Sequence, residues 1–169
     1  VVDIASNDAT LLKNYNNNVL KVGIDPVIKK YRSSYKGIKR IENFFSSEIF
    51  RKKFKKKNAK IITSIAVFYD VPNPYKFVSD ISKILDDDGI WILEQSYFPF
   101  LVKNNAYDSI CHEHLTYFTL KQINFLLAKH NLEVFNASSN SMNGGSIKIF
   151  KKFKKNKKIK IMKHHLKFF

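Results

Sequence analysis

The sequence predicts an α/β fold in one domain, with a mostly parallel sheet, a terminal antiparallel hairpin and helices on both faces. The first observation behind this prediction is that short apolar runs alternate with helical patterns from Val1 to Gln95. The second is that the last two apolar runs, Leu132 to Ala137 and Ser146 to Phe150, are separated only by a short turn. A chain of 169 residues is long enough for such a core, since a domain of about 150 residues buries roughly two-thirds of its unfolded surface.

Each predicted element has a local signal. Turn residues such as Ser6-Asn7-Asp8 end the apolar runs, and Ser46-Ser47-Glu48 is typical of a helix start. Asp86-Asp87-Asp88-Gly89 predicts a sharp reversal, because glycine tolerates a positive φ and aspartates bond to local backbone. The predicted parallel strands are Val1 to Ala5, Val19 to Ile24, Ile38 to Glu42, Lys60 to Ile65 and Gly89 to Gln95. The predicted helices are Thr10 to Tyr15, a basic helix or loop from Ser46 to Lys57, Phe77 to Leu85, and Leu120 to Lys129.

The composition limits the class of protein. Lysine and arginine number 30 against 14 acidic residues, a formal net charge of +16. This excess predicts a polyanionic partner such as nucleic acid, unless the lysine, asparagine and isoleucine bias reflects an AT-rich genome. No apolar run reaches about 18 residues, so no transmembrane helix is predicted. One cysteine excludes an internal disulfide, which fits a cytoplasmic location.

The two ends of the chain differ from its middle. The chain opens on the apolar run Val1 to Ile4 without an initiator methionine or a signal peptide, which predicts a core truncated at its N-terminus. Residues 1–150 are the predicted core. The lysine-rich residues 151–169 are predicted to be a basic tail or the start of a missing C-terminal domain.

The segment from Tyr107 to Leu120, YDSICHEHLTYFTL, concentrates groups that transfer protons. It holds two of the five histidines and the one cysteine of the chain. In an extended segment His112 and His114 would share one face and Glu113 the other, whereas on a helix all three would diverge. Either way, an imidazole here can accept a proton near neutral pH. A solvated polar turn and a metal site are the alternatives, although no further set of ligands with catalytic spacing is evident.

A nucleotide-binding unit is indicated near the N-terminus. A strand, a turn and a helix lead to a second strand that ends in Asp25, about 20 residues after Asp3, where an acid can accept hydrogen bonds from ribose hydroxyls. The alternative is that Asp25-Pro26 only ends the strand and starts a helix. Because ligands bind beyond the carboxyl ends of parallel strands, the residues expected around one crevice are Ser6, Asp25, Asn43, Ala66 and Gln95.

Several longer segments occur together in an order known from one enzyme family. They are VDIASNDATLL at Val2 to Leu12, GIDP at Gly23 to Pro26, FYDVPNP at Phe68 to Pro74, LDDDGIWILEQSY at Leu85 to Tyr97, YDSICHEHLTYF at Tyr107 to Phe118 and NGGS at Asn143 to Ser146. On these segments, residues 1 to about 150 resemble the class I S-adenosylmethionine-dependent methyltransferases, which have a Rossmann-like sheet. The resemblance is to the sugar C-methyltransferases that act on nucleotide-linked keto-deoxysugars.

The resemblance implies a cofactor, a substrate class and roles for residues. The cofactor is S-adenosylmethionine, the partner is a nucleotide-linked sugar or a similar small-molecule ketone, and no metal is required. A base removes a proton next to the ketone, and the enolate then attacks the sulfonium methyl. His114 is the implied base, Glu113 orients it or shares its proton, and His112 polarises the ketone. The implied cofactor-binding residues are Ala5, Ser6, Asn7, Asp25, Asn43, Phe44 and Ala66.

Four residues depart from the family pattern. Ala5 and Ala9 stand where the family usually has glycines, so each adds a methyl group near the cofactor and disfavours a positive φ. Cys111 stands where characterised members often have tyrosine, and it is expected to be a packed thiol rather than a nucleophile. Asp70 stands where they often have histidine. Two other hypotheses stay open: an RNA-binding or RNA-directed methyltransferase domain, and a degenerate methyltransferase fold without activity.

Overall fold

A seven-stranded mixed sheet forms the centre of the protein, in a computed structural model that describes residues 1–160. The strands are β1 (Val2–Ile4), β2 (Val22–Ile24), β3 (Lys39–Ile41), β4 (Ala59–Ile65), β5 (Leu85–Ser96), β6 (Leu132–Asn140) and β7 (Ser146–Phe153). Their order across the sheet is β3-β2-β1-β4-β5-β7-β6. The first five strands are parallel, and β7 lies antiparallel between β5 and β6. The predicted parallel sheet with a terminal hairpin is therefore confirmed.

Five α-helices connect the strands in the described part of the chain, and local capping explains where two of them begin. The helices are α1 (Thr10–Lys13), α2 (Ser47–Phe54), α3 (Pro74–Ile84), α4 (Phe98–Lys103) and α5 (Leu120–Ala128). The Ser46 hydroxyl accepts a hydrogen bond from the Ile49 amide at the start of α2. The Asn73 side chain accepts one from the Lys76 amide at the start of α3, where Pro74 occupies the first helical position. Within residues 1–160, no helix is long and apolar enough to cross a membrane.

The buried residues form two clusters. The larger cluster joins Val2, Ile4 and the central strands to the apolar sides of α2, α3 and α5. The smaller one contains Ala9 and Leu12 of the first helical region, together with residues that follow β2: Ile28, Tyr35 and Ile38. Because side chains alternate along a strand, Asp3 points away from the face that holds Val2 and Ile4. The helices therefore cover both faces of the sheet, as predicted.

An aromatic group ties the histidine-containing segment to the sheet. Phe68 follows β4 and stacks on Phe118 with ring centroids 4.8 Å apart. Phe68 also contacts the buried Trp91 of β5, at 6.0 Å between ring centroids. The Thr116 amide donates a hydrogen bond to the Tyr69 carbonyl at 3.1 Å. Residues 114–118 are thus fixed next to the carboxyl end of β4.

Two sequence predictions about local structure are wrong. The predicted sharp reversal at Asp86 to Gly89 is instead an irregularity within β5, where Leu85 pairs with Ala59 and Ile90 pairs with Ile61. The predicted bond of an aspartate to local backbone is present, since the Asp88 amide donates to the Asp86 carboxylate at 3.1 Å. Gly89 is required for space rather than for a positive φ, since a Cβ there would lie 2.8 Å from the Ala59 carbonyl oxygen.

The second wrong prediction is the end of the last strand. β7 continues beyond Phe150 to Phe153, and it buries Lys151 and Lys152 within the sheet. Residues 161–169, the remainder of the predicted basic tail, lie outside the described residues.

Candidate functional site

The loop after β1 has three residues in the left-handed region of φ. Ala5, Asn7 and Ala9 have φ values of 60°, 47° and 65°. The sequence predicted that alanine would disfavour this conformation, yet both alanines adopt it. A left-handed conformation costs an L-residue roughly 1–2 kcal/mol. The loop therefore keeps the shape that glycines would give, at the expense of strain and with two extra methyl groups.

Hydrogen bonds from Tyr35, which lies in the turns after β2, hold this loop in place. The Tyr35 hydroxyl donates to the Asn7 carbonyl at 2.8 Å and lies 2.7 Å from the Ser6 hydroxyl. Burial raises the pKa of Tyr35 to about 12, so its hydroxyl remains a donor at neutral pH. Gly23 makes this contact possible, because a Cβ there would lie 2.6 Å from both the Ser6 hydroxyl and the Tyr35 ring. Ser6 is thus turned inwards, as a support for the loop.

Asp25 follows β2 and is buried, with 7% of its surface exposed. One carboxylate oxygen accepts a hydrogen bond from the Val27 amide at 2.8 Å, and the other accepts one from the Asn7 amide at 3.0 Å. The first bond caps the 3-10 helical turn Pro26–Lys30. Asp25-Pro26 therefore does end the strand and start a helical turn, as the alternative interpretation predicted. A carboxylate has about four lone-pair positions, which leaves two to accept bonds from the hydroxyls of a ribose. The site therefore fits the sugar of a nucleoside cofactor.

The other predicted cofactor residues lie at the same edge of the sheet. Asn43 and Phe44 follow β3 and are exposed, with Phe44 at 75%. Ala66 follows β4 with a φ of 51°, and its amide donates to the Glu94 carbonyl at 2.8 Å. Because β1 to β5 are parallel to one another, their carboxyl ends lie along one edge of the sheet. The fold brings the predicted cofactor residues together along this edge, and an exposed aromatic ring lies at one end.

His114 is held by a single backbone carbonyl. Its Nδ1 atom lies 2.7 Å from the Ser109 carbonyl oxygen, which also accepts a hydrogen bond from the Tyr117 hydroxyl at 3.0 Å. The ring packs on Tyr69 with centroids 4.3 Å apart. Because a carbonyl oxygen only accepts, Nδ1 carries the hydrogen in the neutral ring and Nε2 keeps a lone pair. This is the form of histidine that can accept a proton.

His112 and Glu113 do not share this arrangement. The segment is neither extended nor helical but a turn, closed by a hydrogen bond from the His114 amide to the Cys111 carbonyl at 3.3 Å. His112 and Glu113 are exposed on this turn, whereas His114 is half-buried. Cys111 is exposed as well, so the expectation that its thiol is packed is wrong. The two imidazoles therefore do not form one face of a strand.

Asp70 and Gln95 carry buried polar atoms that have no hydrogen-bond partner among residues 1–160. One carboxylate oxygen of Asp70 is buried without a hydrogen-bond partner among residues 1–160. Burial raises the pKa of Asp70, the charge of His114 opposes that shift, and Glu113 adds to it, so these groups act on one another. Gln95 of β5 is 2% exposed, and neither atom of its amide has a partner among the same residues.

Sequence reasoning missed several contributors to this site. Tyr69, Ser109 and Tyr117 position His114, but none of them carries a local signal for that role. Gln95 was expected at the crevice without a function, and a polar residue at the end of a buried strand was the available clue. A cavity of about 330 Å³ also opens beside Ser109 and Tyr117. Its walls are mostly apolar and come from α4 and the turn after it: Phe98, Leu101, Val102, Ala106, Tyr107 and Ile110.

The described part of the chain contains no group of three or more His, Cys, Asp or Glu side chains arranged to hold a metal ion.

Comparison with known proteins defines the class of this protein. The family model described as a methyltransferase domain matches residues 1–137, and the chain belongs to that family. Together with the fold and the edge built around Asp25, this makes the chain an S-adenosylmethionine-dependent methyltransferase domain.

Three other proteins are similar to this chain, one in sequence and two in structure. The chain is 28% identical over 153 residues to the C-methyltransferase NovU of Streptomyces niveus, covering 89% of this chain but only 36% of that protein. A putative methyltransferase of Bacillus halodurans C-125 has the same fold, with a TM-score of 0.68 and 14% identity, covering 89% of this chain and 90% of that chain. LepI in complex with SAM superposes with a TM-score of 0.65 and 13% identity, covering 90% of this chain and 42% of LepI.

Proposed function

We propose that this domain transfers a methyl group from S-adenosylmethionine to a carbon next to a ketone, with a nucleotide-linked keto sugar as the acceptor. The observation that carries the proposal is His114, whose Nδ1 atom is bound to the Ser109 carbonyl so that Nε2 is available as a base. The similarity to a protein named as a C-methyltransferase supports the same chemistry. A keto carbon acceptor needs such a base, because a C–H bond next to a ketone must lose its proton before the carbon can attack.

The cofactor is proposed to lie along the edge formed by the carboxyl ends of the strands. Asp25 would accept hydrogen bonds from the ribose hydroxyls with the lone pairs that Asn7 and Val27 leave free. Phe44, which is exposed, would pack against the adenine, and the backbone at Ala5 and Ala66 would approach the rest of the molecule. When bound, S-adenosylmethionine supplies an electrophilic methyl group on its sulfonium. The chain itself has only to hold the acceptor and move a proton.

His114 is proposed to take that proton at Nε2. The imidazolium that forms is stabilised on one side by the Ser109 carbonyl, and the Asp70 carboxylate favours the positive charge. Tyr69 packs against the ring and limits its rotation. His112 and Glu113 keep their proposed roles as polariser of the ketone and as a partner that shares the proton, since both are exposed.

Proton removal can be measured separately from methyl transfer. The acceptor ketone is incubated with the chain and S-adenosylhomocysteine in D₂O, and deuterium at the carbon next to the ketone is followed by NMR. We expect exchange with the native chain and a loss of about 100-fold or more in His114→Gln, since a positioned base contributes roughly 10²–10⁴-fold. His130→Gln is the matched control, because His130 packs on Tyr75 at the end of α5.

Each result decides one part of the proposal. Equal exchange by His114→Gln and the native chain would show that His114 is not the base. Exchange with simple ketones but not with keto-sugar nucleotides would show that the proposed acceptor class is wrong, whereas the proposed proton removal would be unaffected. A folded native chain that does not bind S-adenosylmethionine in a calorimetric titration would favour the degenerate fold. The left-handed conformation of Ala5 and Ala9 argues against that alternative, because the loop keeps its shape.

A further inference from the structure

A large part of the positive charge of this protein lies along the β3 edge of the sheet. Residues 29–60 contain thirteen lysines and arginines and two glutamates, a net charge of +11. It forms the turns after β2, the edge strand β3, helix α2 and the entry to β4.

A groove of about 770 Å³ lies within this basic edge, and we name it the β3 groove. The residues that line it include four cations, and these are Lys36, Lys39, Arg40 and Lys53. Glu42 is the only acid among the lining residues that the structure describes. Its carboxylate is already engaged by Arg32 at 2.6 Å and by Arg40 at 3.0 Å, and the Arg32 guanidinium lowers the pKa of Glu42 to about 2.

The lysines of the β3 groove lack the acidic partners that several other lysines of residues 1–160 have. Lys60, Lys155 and Lys158 each form an ion pair with an aspartate of the run at 86–88. Lys152 pairs with Glu133. By contrast, Lys36, Lys39 and Lys53 have no acidic partner within residues 1–160, and Lys53 bonds only to the Arg40 carbonyl. The groove therefore presents uncompensated positive charge in a concave surface, which raises the local concentration of anions.

We propose that the β3 groove binds the phosphodiester backbone of single-stranded RNA. The cations are spread along an edge strand and the neighbouring helix instead of converging on one point, so they fit a chain of phosphates better than a single phosphate. An anionic membrane surface is less suitable, because the apolar residues of the groove, such as Tyr35 and Ile38, are buried and offer nothing to insert into lipid.

The β3 groove is separate from the methyl-transfer site. Three strand spacings separate β3 from β4, the strand whose carboxyl end lies next to residues 114–118, a distance of about 14 Å at roughly 4.8 Å per spacing. The groove thus tethers RNA without occupying the place of the acceptor. The inference does not rest on the proposed C-methylation, and either can fail without the other.

The test is fluorescence anisotropy of a labelled 12-nucleotide oligouridine, titrated with the whole chain at several salt concentrations. The test variant is Lys36→Gln, Lys39→Gln, Lys53→Gln. The control variant removes the same charge from exposed lysines on the other side of the sheet: Lys103→Gln, Lys121→Gln, Lys154→Gln. Titration of S-adenosylmethionine into each variant checks that the fold and the cofactor site are intact.

If each groove lysine contacts one phosphate, the slope of log K against log salt falls by about 2, and affinity at 0.1 M salt falls about 100-fold. We expect the control variant to stay within about threefold of the native chain. Equal losses in the two variants would show diffuse charge and overturn the groove. Absence of RNA binding by the folded native chain at low salt, or binding to anionic vesicles or phosphopeptides in place of RNA, would overturn the proposal as well.

Discussion

Replacing Ala5 by glycine should make this protein more stable, although it removes atoms from the folded state. Ala5 is held at a φ of 60°, where an L-residue pays roughly 1–2 kcal/mol and glycine pays almost nothing. Glycine also gives the unfolded chain more freedom, which offsets about 0.4–1 kcal/mol of that gain. The net effect is a stabilisation of about 0.5–1 kcal/mol. Ala9 is fully buried, so Ala9→Gly also loses a packed methyl worth about 0.8 kcal/mol and should be nearly neutral.

Urea denaturation followed by tryptophan fluorescence measures this change directly. Trp91 is the only tryptophan of the chain and is buried against Phe68, so its emission reports global unfolding. In a thermal scan the same gain corresponds to about 2 °C in Tm for a domain of this size. Ala137→Gly in β6 is the control, because Ala137 is buried and does not have a positive φ. It should lose about 1.5 kcal/mol from its methyl group and chain entropy.

A destabilisation of Ala5→Gly comparable to that of Ala137→Gly would refute the reasoning. It would mean that the Ala5 methyl group packs favourably enough to outweigh the left-handed backbone. Affinity for S-adenosylmethionine gives a second readout. If the extra methyl groups obstruct the cofactor, the Ala5→Gly, Ala9→Gly double variant binds more tightly than the native chain; equal affinity would show that the loop accommodates both alanines.

Three further predictions concern buried polar groups. Gln95→Leu should raise the free energy of unfolding, measured by urea denaturation, by about 1–3 kcal/mol, because it removes a buried amide without partners. It should also slow methyl transfer. A lower free energy of unfolding would contradict this prediction. Asp25→Ala should lower the free energy of unfolding by about 0.5–2 kcal/mol, because the cap on the Val27 amide is lost. In calorimetry it should weaken S-adenosylmethionine binding more than tenfold. Unchanged binding would exclude the proposed role of Asp25. Burial raises the pKa of Asp3 from 3.8 to about 6, so the native state holds a proton that the unfolded chain releases, and stability should fall by about 2.4 kcal/mol as pH rises from 4 to 7. Asp3→Asn should abolish that part of the slope, and an identical pH profile would refute the assignment.

The order of elements could be predicted from the sequence, because each element has its own local signal. Alternation of apolar runs with helical patterns indicated the parallel strands, and the short turn at 140–145 indicated the hairpin. The carboxyl ends of parallel strands must share an edge, so Asp25, Asn43 and Ala66 could be grouped before the fold was known. These conclusions need only the period of side chains along the backbone and the chemistry of turns.

Lysine at 151 shows why local signals fail near the end of the chain. A run of lysines predicts a solvated tail, yet Lys151 is fully buried, and its Nζ atom lies 3.4 Å from the centre of the Trp91 ring. Burial lowers the pKa of this lysine well below its ordinary value. The pairing of Lys151 with Trp91 joins residues 60 positions apart, and no pattern within the run itself contains that information.

The sequence by itself determined the class of fold, the edge on which the predicted cofactor residues lie and the presence of a segment with two histidines. Only the tertiary structure decided that His114 is the supported imidazole while His112 is exposed, and that Ala5 and Ala9 adopt the left-handed backbone of glycines. The physical reason is the range of the forces. Periodicity and turn chemistry act over a few residues, whereas the bonds that fix Asn7 to Asp25 and Tyr35, and the packing of Tyr69 on His114, act across long stretches of chain.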